Sequence, residues 1–217
     1  MGLREEKKQR TREDIAETAW TLFADRGFDR VTVAQVADAA RVSEATVFNY
    51  FPTKEDLFFH RLDQYGHDLV EAVADRGPGE SVLAAFRNLL LAPRGLVGQL
   101  DSGDPRALER LRTVNRVIAG SAALQAREQV SVTRIAEALA ERLVAATPGT
   151  AADRLTARVV AHTLMAVHRS LVLLVRGAVL AGDVPPGLGA EVARRGADAF
   201  ALLERGLADY GAGGTAG

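Results

Sequence analysis

The sequence predicts an all-α protein, and three observations predict it. Apolar residues recur at three- and four-residue steps almost throughout the chain, the spacing that gathers them on one face of a helix. Alternating β-branched stretches are short and scattered, and only Val31-Thr32-Val33 alternates like a strand, too briefly to be one. Helix-breaking punctuation recurs at Gly27, Arg41-Val42-Ser43, Phe51-Pro52-Thr53, Gly77-Pro78-Gly79, Pro93-Arg94-Gly95, Asp101 to Pro105, Thr147-Pro148-Gly149 and Asp183 to Gly189. These breaks mark about nine helices, the first few short and close together. No internal repeat of the solenoid kind is visible. The Gly/Ala-rich tail, residues 211–217, has nothing to bury and is expected to be disordered.

The elements follow in order. Thr11-Arg12-Glu13-Asp14 has the pattern of a capping box, in which a hydroxyl and an acid three residues on satisfy free N–H groups, so a helix is expected to start there. Its inward face is Ile15, Ala19, Leu22 and Phe23, and Gly27-Phe28 reads as a left-handed stop with an apolar contact folding back. Thr32-Val33-Ala34-Gln35 repeats the box and opens a helix so short that Val36, Ala37 and Ala40 are nearly all it can pack. Ser43 caps a third helix held by Val47 and by Tyr50 to Phe51. Thr53 caps a fourth, with Glu55 and Asp56 in the first turn where the helix dipole favours acids.

Two short helices joined by three residues, with small Ala37 at the crossing and Val42 and Val47 as anchors, match a helix-turn-helix. The outward face of the third helix carries Glu44, Ala45, Thr46, Phe48 and Asn49, a small, polar and aromatic set unlike the Lys/Glu mixture of a merely solvated surface. The run from Thr32 to Ala37 and on from Val42 to Leu57 resembles the DNA-binding domain of TetR-family transcriptional regulators, over about residues 10–60. The resemblance implies a homodimeric, ligand-responsive repressor of double-stranded DNA with an all-α body.

Carried over by position, the resemblance puts Thr32, Ser43 and Thr46 near phosphates, which agrees with the anion preference of hydroxyl-capped helix N-termini. Ala45, Phe48 and Asn49 would lie in the major groove, where Asn pairs with adenine and an apolar surface meets a thymine methyl. Tyr50 matches a position used against the DNA backbone, and Lys54 a phosphate-binding lysine, although by itself Lys54 also reads as a solvated first-turn charge. Residues 4–12 carry a net +3, suited to an arm that adds backbone or minor-groove contacts, or equally to an ordinary solvated leader. Two departures stand out. Arg41 occupies a turn position often held by Gly, where a left-handed backbone costs about 1 kcal/mol. The base-facing set has Glu44 and no Arg or Lys, so it offers no bidentate guanine contact.

Composition limits the alternatives. With 27 Lys+Arg against 28 Asp+Glu, the net charge of −1 excludes a generic polyanion binder and makes the placement of charges decisive. The absence of cysteine removes disulfides, thiolate metal sites and Cys nucleophiles, and suits a reducing cytoplasm. Met1 to Lys8 is too polar for a signal peptide. The most apolar stretch, Val159 to Leu180, is interrupted by His162, His168, Arg169 and Arg176, short of an uninterrupted membrane span. His60, His67, His162 and His168 form no i, i+4 zinc pair, and there is no phosphate loop or nucleophile elbow, so no enzyme, metal or cofactor is expected.

The expected organisation is a DNA-binding domain over 1–52, a helical ligand-binding and dimerisation domain over 53–210, and the tail. In the body, polar residues interrupt apolar stretches at Asn115-Arg116, His162-Thr163 and His168-Arg169; each is paired internally, exposed, or turned to a cavity that a ligand completes. A mainly apolar pocket is expected from Phe86, Leu90, Leu111, Asn115, Ile118, Ile135, Leu139 and His168. The last two long helices, about Thr150 to Ala181 and Ala190 to Tyr210, are the candidates for a dimer interface. Val192, Gly196, Ala199 and Leu203 mix small and large residues at helical steps there, and the same face could instead pack within the subunit. The reading is thus a cytoplasmic, homodimeric repressor that a small apolar effector releases from a palindromic operator. The alternative is an all-α small-molecule or acyl-group binding protein without specific DNA binding.

Overall fold

The first helix, α1 (Leu3–Arg26), begins well before Thr11 in the computed structural model, which describes residues 2–92, 105–146, 151–182 and 187–207. The expected start at Thr11 is corrected: its Oγ1 donates to the Lys7 carbonyl, 2.9 Å away, inside a continuous helix. The reason is local. Leu3 to Arg10 is a run of good helix formers with no Gly or Pro, and Glu5 and Glu6 sit in the first turn. The helix stops at Gly27, whose φ of 80° and ψ of 152° are open essentially to Gly alone; this is a positive-φ stop with extended ψ, where a left-handed helical one was expected. Phe28 does fold back, its ring centroid 5.0 Å from that of Phe23.

Then come α2 (Val33–Ala39), α3 (Glu44–Tyr50), α4 (Lys54–Ala74), α5 (Val82–Leu91), α6 (Pro105–Ala119), α7 (Ala122–Ala146), α8 (Ala151–Leu180) and α9 (Leu188–Leu207). Among the described residues there are nine helices and no strand, so the chain is all-α. The break at Gly120-Ser121 between α6 and α7 was not expected, and α9 opens at Leu188, before Ala190. The expected breaks at Pro93 to Gly95, Asp101 to Asp104, Thr147 to Gly149 and Asp183 to Pro186 lie outside the described residues, as do Ala208 to Tyr210 and the tail.

The helices form two compact units. One contains the described residues up to Gln64 together with Thr113–Glu128; the other runs from Tyr65 to Arg112 and from Gln129 onward. This division departs from the expected cut at residues 52/53, because α4 supplies its beginning to the first unit and the end of α6 with the start of α7 joins it.

The first unit closes around an aromatic core. Ile15, Ala19 and Phe23 of α1, Val36 and Ala37 of α2, Val47 of α3, Phe51, and Leu57 to Phe59 of α4 are all buried, joined by Val117, Ile118 and Leu124. Each fully buried Phe contributes about 1.5 to 3 kcal/mol. Polar contacts fasten the α6–α7 corner to this unit. Ser121 Oγ donates to Asp29 Oδ1 at 2.7 Å, and the Arg127 guanidinium, over the Phe59 ring, bridges Asp56 at 3.2 Å and Asp63 at 2.6 Å. Burial pushes the Asp56 carboxyl up, but hydrogen bonds from Thr53 and Arg127 outweigh it and hold the group below the usual carboxylate range.

In the second unit, α5, α8 and α9 pack together with parts of α4 and α7. Val82, Phe86 and Leu90, Leu139 and Leu143, Leu164, Met165 and Val175, and Val192 and Phe200 form its core. Gly196 lets α9 approach closely: a Cβ there would lie 2.7 Å from Leu91 Cδ2 and 3.3 Å from Leu171 Cδ1. Gly66 does the same for α4 and α7, with Ile135 Cδ1 only 2.5 Å from the position a Cβ would take. From Asp153 to Leu180, α8 is long and apolar enough to cross a membrane by length and composition, which the sequence reading had not granted. Its Ala157, Ala161, Leu164, Leu171 and Val175 face is nonetheless buried in the core.

Two predictions follow from this packing. Gly66→Ala gains about 1 kcal/mol of helix propensity but overpacks against Ile135 at a cost of about 1 to 3 kcal/mol, so denaturant unfolding should show net destabilisation. The same change in an Ile135→Ala background should be neutral or stabilising. Arg127→Met should cost about 2 kcal/mol through lost charged hydrogen bonds. Because the folded pKa of Asp56 is depressed, the stability it contributes is complete above its unfolded value of 3.8 and is lost as pH falls through the lower folded value. Acid titration of the Arg127→Met variant should show less of that pH dependence.

Candidate nucleic-acid interface

The helix-turn-helix is assembled from reciprocal caps. Thr32 Oγ1 accepts from the Gln35 N–H at 3.2 Å while the Thr32 N–H donates to Gln35 Oε1 at 2.9 Å, which completes the capping box of α2. Ser43 Oγ accepts from the Thr46 N–H at 3.0 Å and shares a 2.8 Å hydrogen bond with Thr46 Oγ1. Thr53 and Asp56 repeat the arrangement at α4, where Asp56 N–H donates to Thr53 Oγ1 at 3.2 Å. In the turn between α2 and α3 the Val42 N–H donates to the Ala37 carbonyl at 2.9 Å. Arg41 takes the left-handed conformation with φ of 56°, the strained geometry expected of a non-Gly residue at that position.

These constraints sort the side chains of α3. Val47 is buried in the head core, and Thr46 and Tyr50 are half-buried. Glu44, Ala45, Phe48 and Asn49 are exposed, with Phe48 at 47%. An aromatic so exposed on a two-turn helix contributes little to packing and is available to a partner. The predicted DNA-facing residues Thr32, Ser43, Glu44, Ala45, Thr46, Phe48, Asn49 and Tyr50 therefore share the α2–α3 portion of one unit, with the hydroxyls at helix starts and Ala45, Phe48 and Asn49 pointing outward.

Lys54 is placed differently from a freely solvated lysine. Its ammonium sits 4.1 Å from the centroid of the Phe28 ring and 6.0 Å from that of Phe23. Burial lowers its pKa, and Asp29 and Glu55 oppose the shift.

The sequence left the basic residues near the N-terminus as an arm or a leader; the structure makes them the first turns of α1. One surface groove is lined by Glu5, Lys8, Gln9, Arg12, Asn49 and Tyr50, and an adjoining one by Arg4, Glu5, Lys7, Lys8, Thr11 and Tyr50. Arg12 is anchored by its guanidinium over Phe51, 5.4 Å from the ring centroid. The end of α3 thus continues into a cation-lined wall, so a patch of positive charge lies beside the outward face despite the neutral total. The signal for this was available, since Leu3 to Ile15 contains no helix breaker.

The residues expected to line a pocket divide between the units. Phe86, Leu90 and Leu139 are buried in the second core; Leu111 and Ile135 pack against it; and His168 lies half-buried, stacked on Tyr65 with ring centroids 6.2 Å apart. Ile118 is corrected: it is 1% exposed in the aromatic core of the first unit, because the α6–α7 corner is fastened there. Asn115 is buried in that same unit. Tyr65, which the sequence does not single out because an aromatic in an apolar stripe reads like any core residue, is the partner of His168 in this stack. Of the expected dimer face, Val192 and Gly196 are corrected, because both are consumed inside the subunit, Val192 in the core and Gly196 against Leu91 and Leu171. Ala199 and Leu203 are half-buried, Leu203 packing on the same core.

Comparison with known proteins bears on this geometry. Residues 15–60 match the family model of bacterial regulatory proteins, tetR family. The HTH-type transcriptional regulator TcmR of Streptomyces glaucescens is 32% identical over 105 residues, 48% of this chain and 46% of that protein. The HTH-type transcriptional regulator LuxR of Vibrio harveyi is 48% identical over 58 residues, 24% of this chain and 28% of that protein. The matches thus span less than half the length of these relatives. Among solved structures, NalD, the secondary repressor of the MexAB-OprM multidrug efflux pump in Pseudomonas aeruginosa, aligns with a TM-score of 0.53 at 20% identity, covering 89% of this chain and 96% of that one. SmeT, the repressor of the Stenotrophomonas maltophilia multidrug efflux pump SmeDEF, aligns with a TM-score of 0.50 at 17% identity over 89% of this chain and 88% of that one. These two likenesses are of fold. The helix-turn-helix head, with the capped α2 and α3 and their outward Ala45, Phe48 and Asn49, lies within the residues that are similar to the tetR family of bacterial regulatory proteins.

Proposed function

We propose that the chain is a homodimeric transcriptional repressor that reads a palindromic operator through α3 and leaves it when a small, mainly apolar effector binds the second unit. The observation that carries this reading is the exposed Ala45, Phe48 and Asn49 face on a helix whose opposite side, Val47, is locked in the core. Asn49 supplies donor and acceptor for an adenine edge, and Ala45 and Phe48 an apolar surface for thymine methyls. Tyr50, Lys7, Lys8 and Arg12 border the same face and suit the phosphate backbone. Lys54 can join them by leaving the Phe28 ring, at the expense of a cation–π contact worth about 0.5 to 2 kcal/mol. The relatives are transcriptional regulators, in keeping with a non-enzymatic role, and such a protein works in the cytoplasm with the DNA.

The dimer face is assigned to the outer side of α8. Leu155, Val159, Ala166, Leu173, Gly177 and Leu180 recur at steps of four, seven, seven, four and three residues and are exposed, with exposed His162 and Ser170 in the longer gaps; Leu202 of α9 is exposed as well. A mainly apolar stripe of that length on a helix whose other side is buried calls for a partner, and a second copy satisfies it isologously. A two-fold dimer places its two α3 helices on half-sites about one DNA turn apart, roughly 34 to 36 Å.

Footprinting on the DNA upstream of the coding region should show one protected palindrome whose affinity falls steeply with salt; no protection at low salt would overturn the reading. Asn49→Ala should cost about 1 to 3 kcal/mol and relax preference at one base pair per half-site, whereas Lys8→Gln should weaken all sequences alike and reduce the salt slope by about 1. Leu173→Glu should convert dimer to monomer in sedimentation velocity with helicity unchanged; an intact dimer would reject the assigned face.

A further inference from the structure

Tyr65 lies on the part of α4 that belongs to the second unit, and it packs on that unit's apolar core. The residue as a whole is only half-buried, yet its hydroxyl oxygen is sealed from solvent and has no hydrogen-bond partner among the described residues. A buried phenol without an acceptor costs free energy that phenylalanine would not. The packing does not call for the oxygen: the ring already stacks on His168, with an interplanar angle of 30°. The neighbouring Gly66 brings Ile135 of α7 against α4, so successive residues of α4 meet α7 at Gly66 and α8 at Tyr65. His168 lies on the inward stripe of α8, one turn from the buried Leu164 and Leu171.

We propose that Tyr65 is the hydrogen-bond anchor of the effector site, donating its O–H to a neutral carbonyl or ether oxygen on an otherwise apolar, ring-bearing molecule that packs among Ile135, Leu139 and His168. The inference rests on the effector-responsive reading above and gives it a ligand class. Burial pushes the phenol's pKa up, so the group remains a donor throughout the physiological range. An apolar lining disfavours a charged partner, since a buried charge needs a counter-charge as well as a hydrogen bond. A neutral acceptor oxygen meets both conditions, and a hydrocarbon of the same shape meets only the apolar one.

The test uses the full chain and two probes of matched shape, 2-acetylnaphthalene and 2-ethylnaphthalene, measured by equilibrium dialysis. The wild-type chain should bind the ketone about tenfold more tightly than the hydrocarbon, and Tyr65→Phe should bring the two within about twofold. In the ligand-free protein, Tyr65→Phe should leave the Tm equal or raise it, because an unsatisfied donor is removed. Three results would overturn the proposal: a ketone preference that survives Tyr65→Phe, binding of neither probe, or a fall in ligand-free Tm showing that the hydroxyl was already satisfied. Operator binding with and without the ketone is measured in parallel. Tyr65-dependent ketone binding that leaves operator affinity unchanged would refute effector release while sparing the anchor, and operator release unaffected by Tyr65→Phe would refute the anchor alone.

Discussion

A helix of two turns cannot sustain itself in water, where roughly 12 to 15 residues are needed for even marginal stability. Both α2 and α3 have seven residues, so everything the head presents outward depends on what holds these helices from behind and at their ends. The ends are held by Thr32 with Gln35 and by Ser43 with Thr46. The backs are held by Val36, Ala37, Val47 and Phe51, seated on the aromatic platform that α1 and α4 build. With these few residues carrying the stability, the outward positions of α3 are released from packing duty, and their chemistry can be set by recognition alone.

The second unit divides its surfaces in a similar way. Its small residues, Gly66 and Gly196, serve internal close approach, where each missing side chain is filled by Ile135 or by Leu91 and Leu171. The outer side of α8 exposes Leu155, Val159, Leu173 and Leu180 while its inner side is buried, and the Tyr65 hydroxyl is a sealed polar atom with no hydrogen-bond partner among the described residues. In the proposed reading, stability, self-association and ligand recognition draw on different residues of the same few helices.

The features legible in the sequence are those whose cause spans three or four residues. The caps at Thr32, Ser43 and Thr53, the strain at Arg41 and the exposure of Ala45, Phe48 and Asn49 all follow from local hydrogen bonds and helical period. Thr11 misled because the same four-residue pattern occurs without the break that would make it an end, and inside a helix its hydroxyl bonds backward to Lys7. What failed at longer range was partner choice. Small and large residues at helical steps mark a close helix contact, as at Gly196, but periodicity carries no information on whether the other helix belongs to the same molecule. Ile118 was grouped with the body for the same reason, since the Ser121 to Asp29 and Arg127 to Asp56 bonds that draw its corner to the head join residues far apart in sequence.

The continuity of α1 bears on how the head would meet DNA. A flexible basic arm loses conformational entropy when it settles on a duplex, which offsets part of its Coulombic attraction and shows up calorimetrically as coupled folding. Here Arg4, Lys7, Lys8 and Arg12 ride on a helix that exists before any encounter, and Arg12 is already seated on Phe51. Their positive charge is therefore presented at a fixed azimuth beside Tyr50, so in the proposed complex these cations would act as a rigid rail that orients the approach of the backbone, where a tether would search for it.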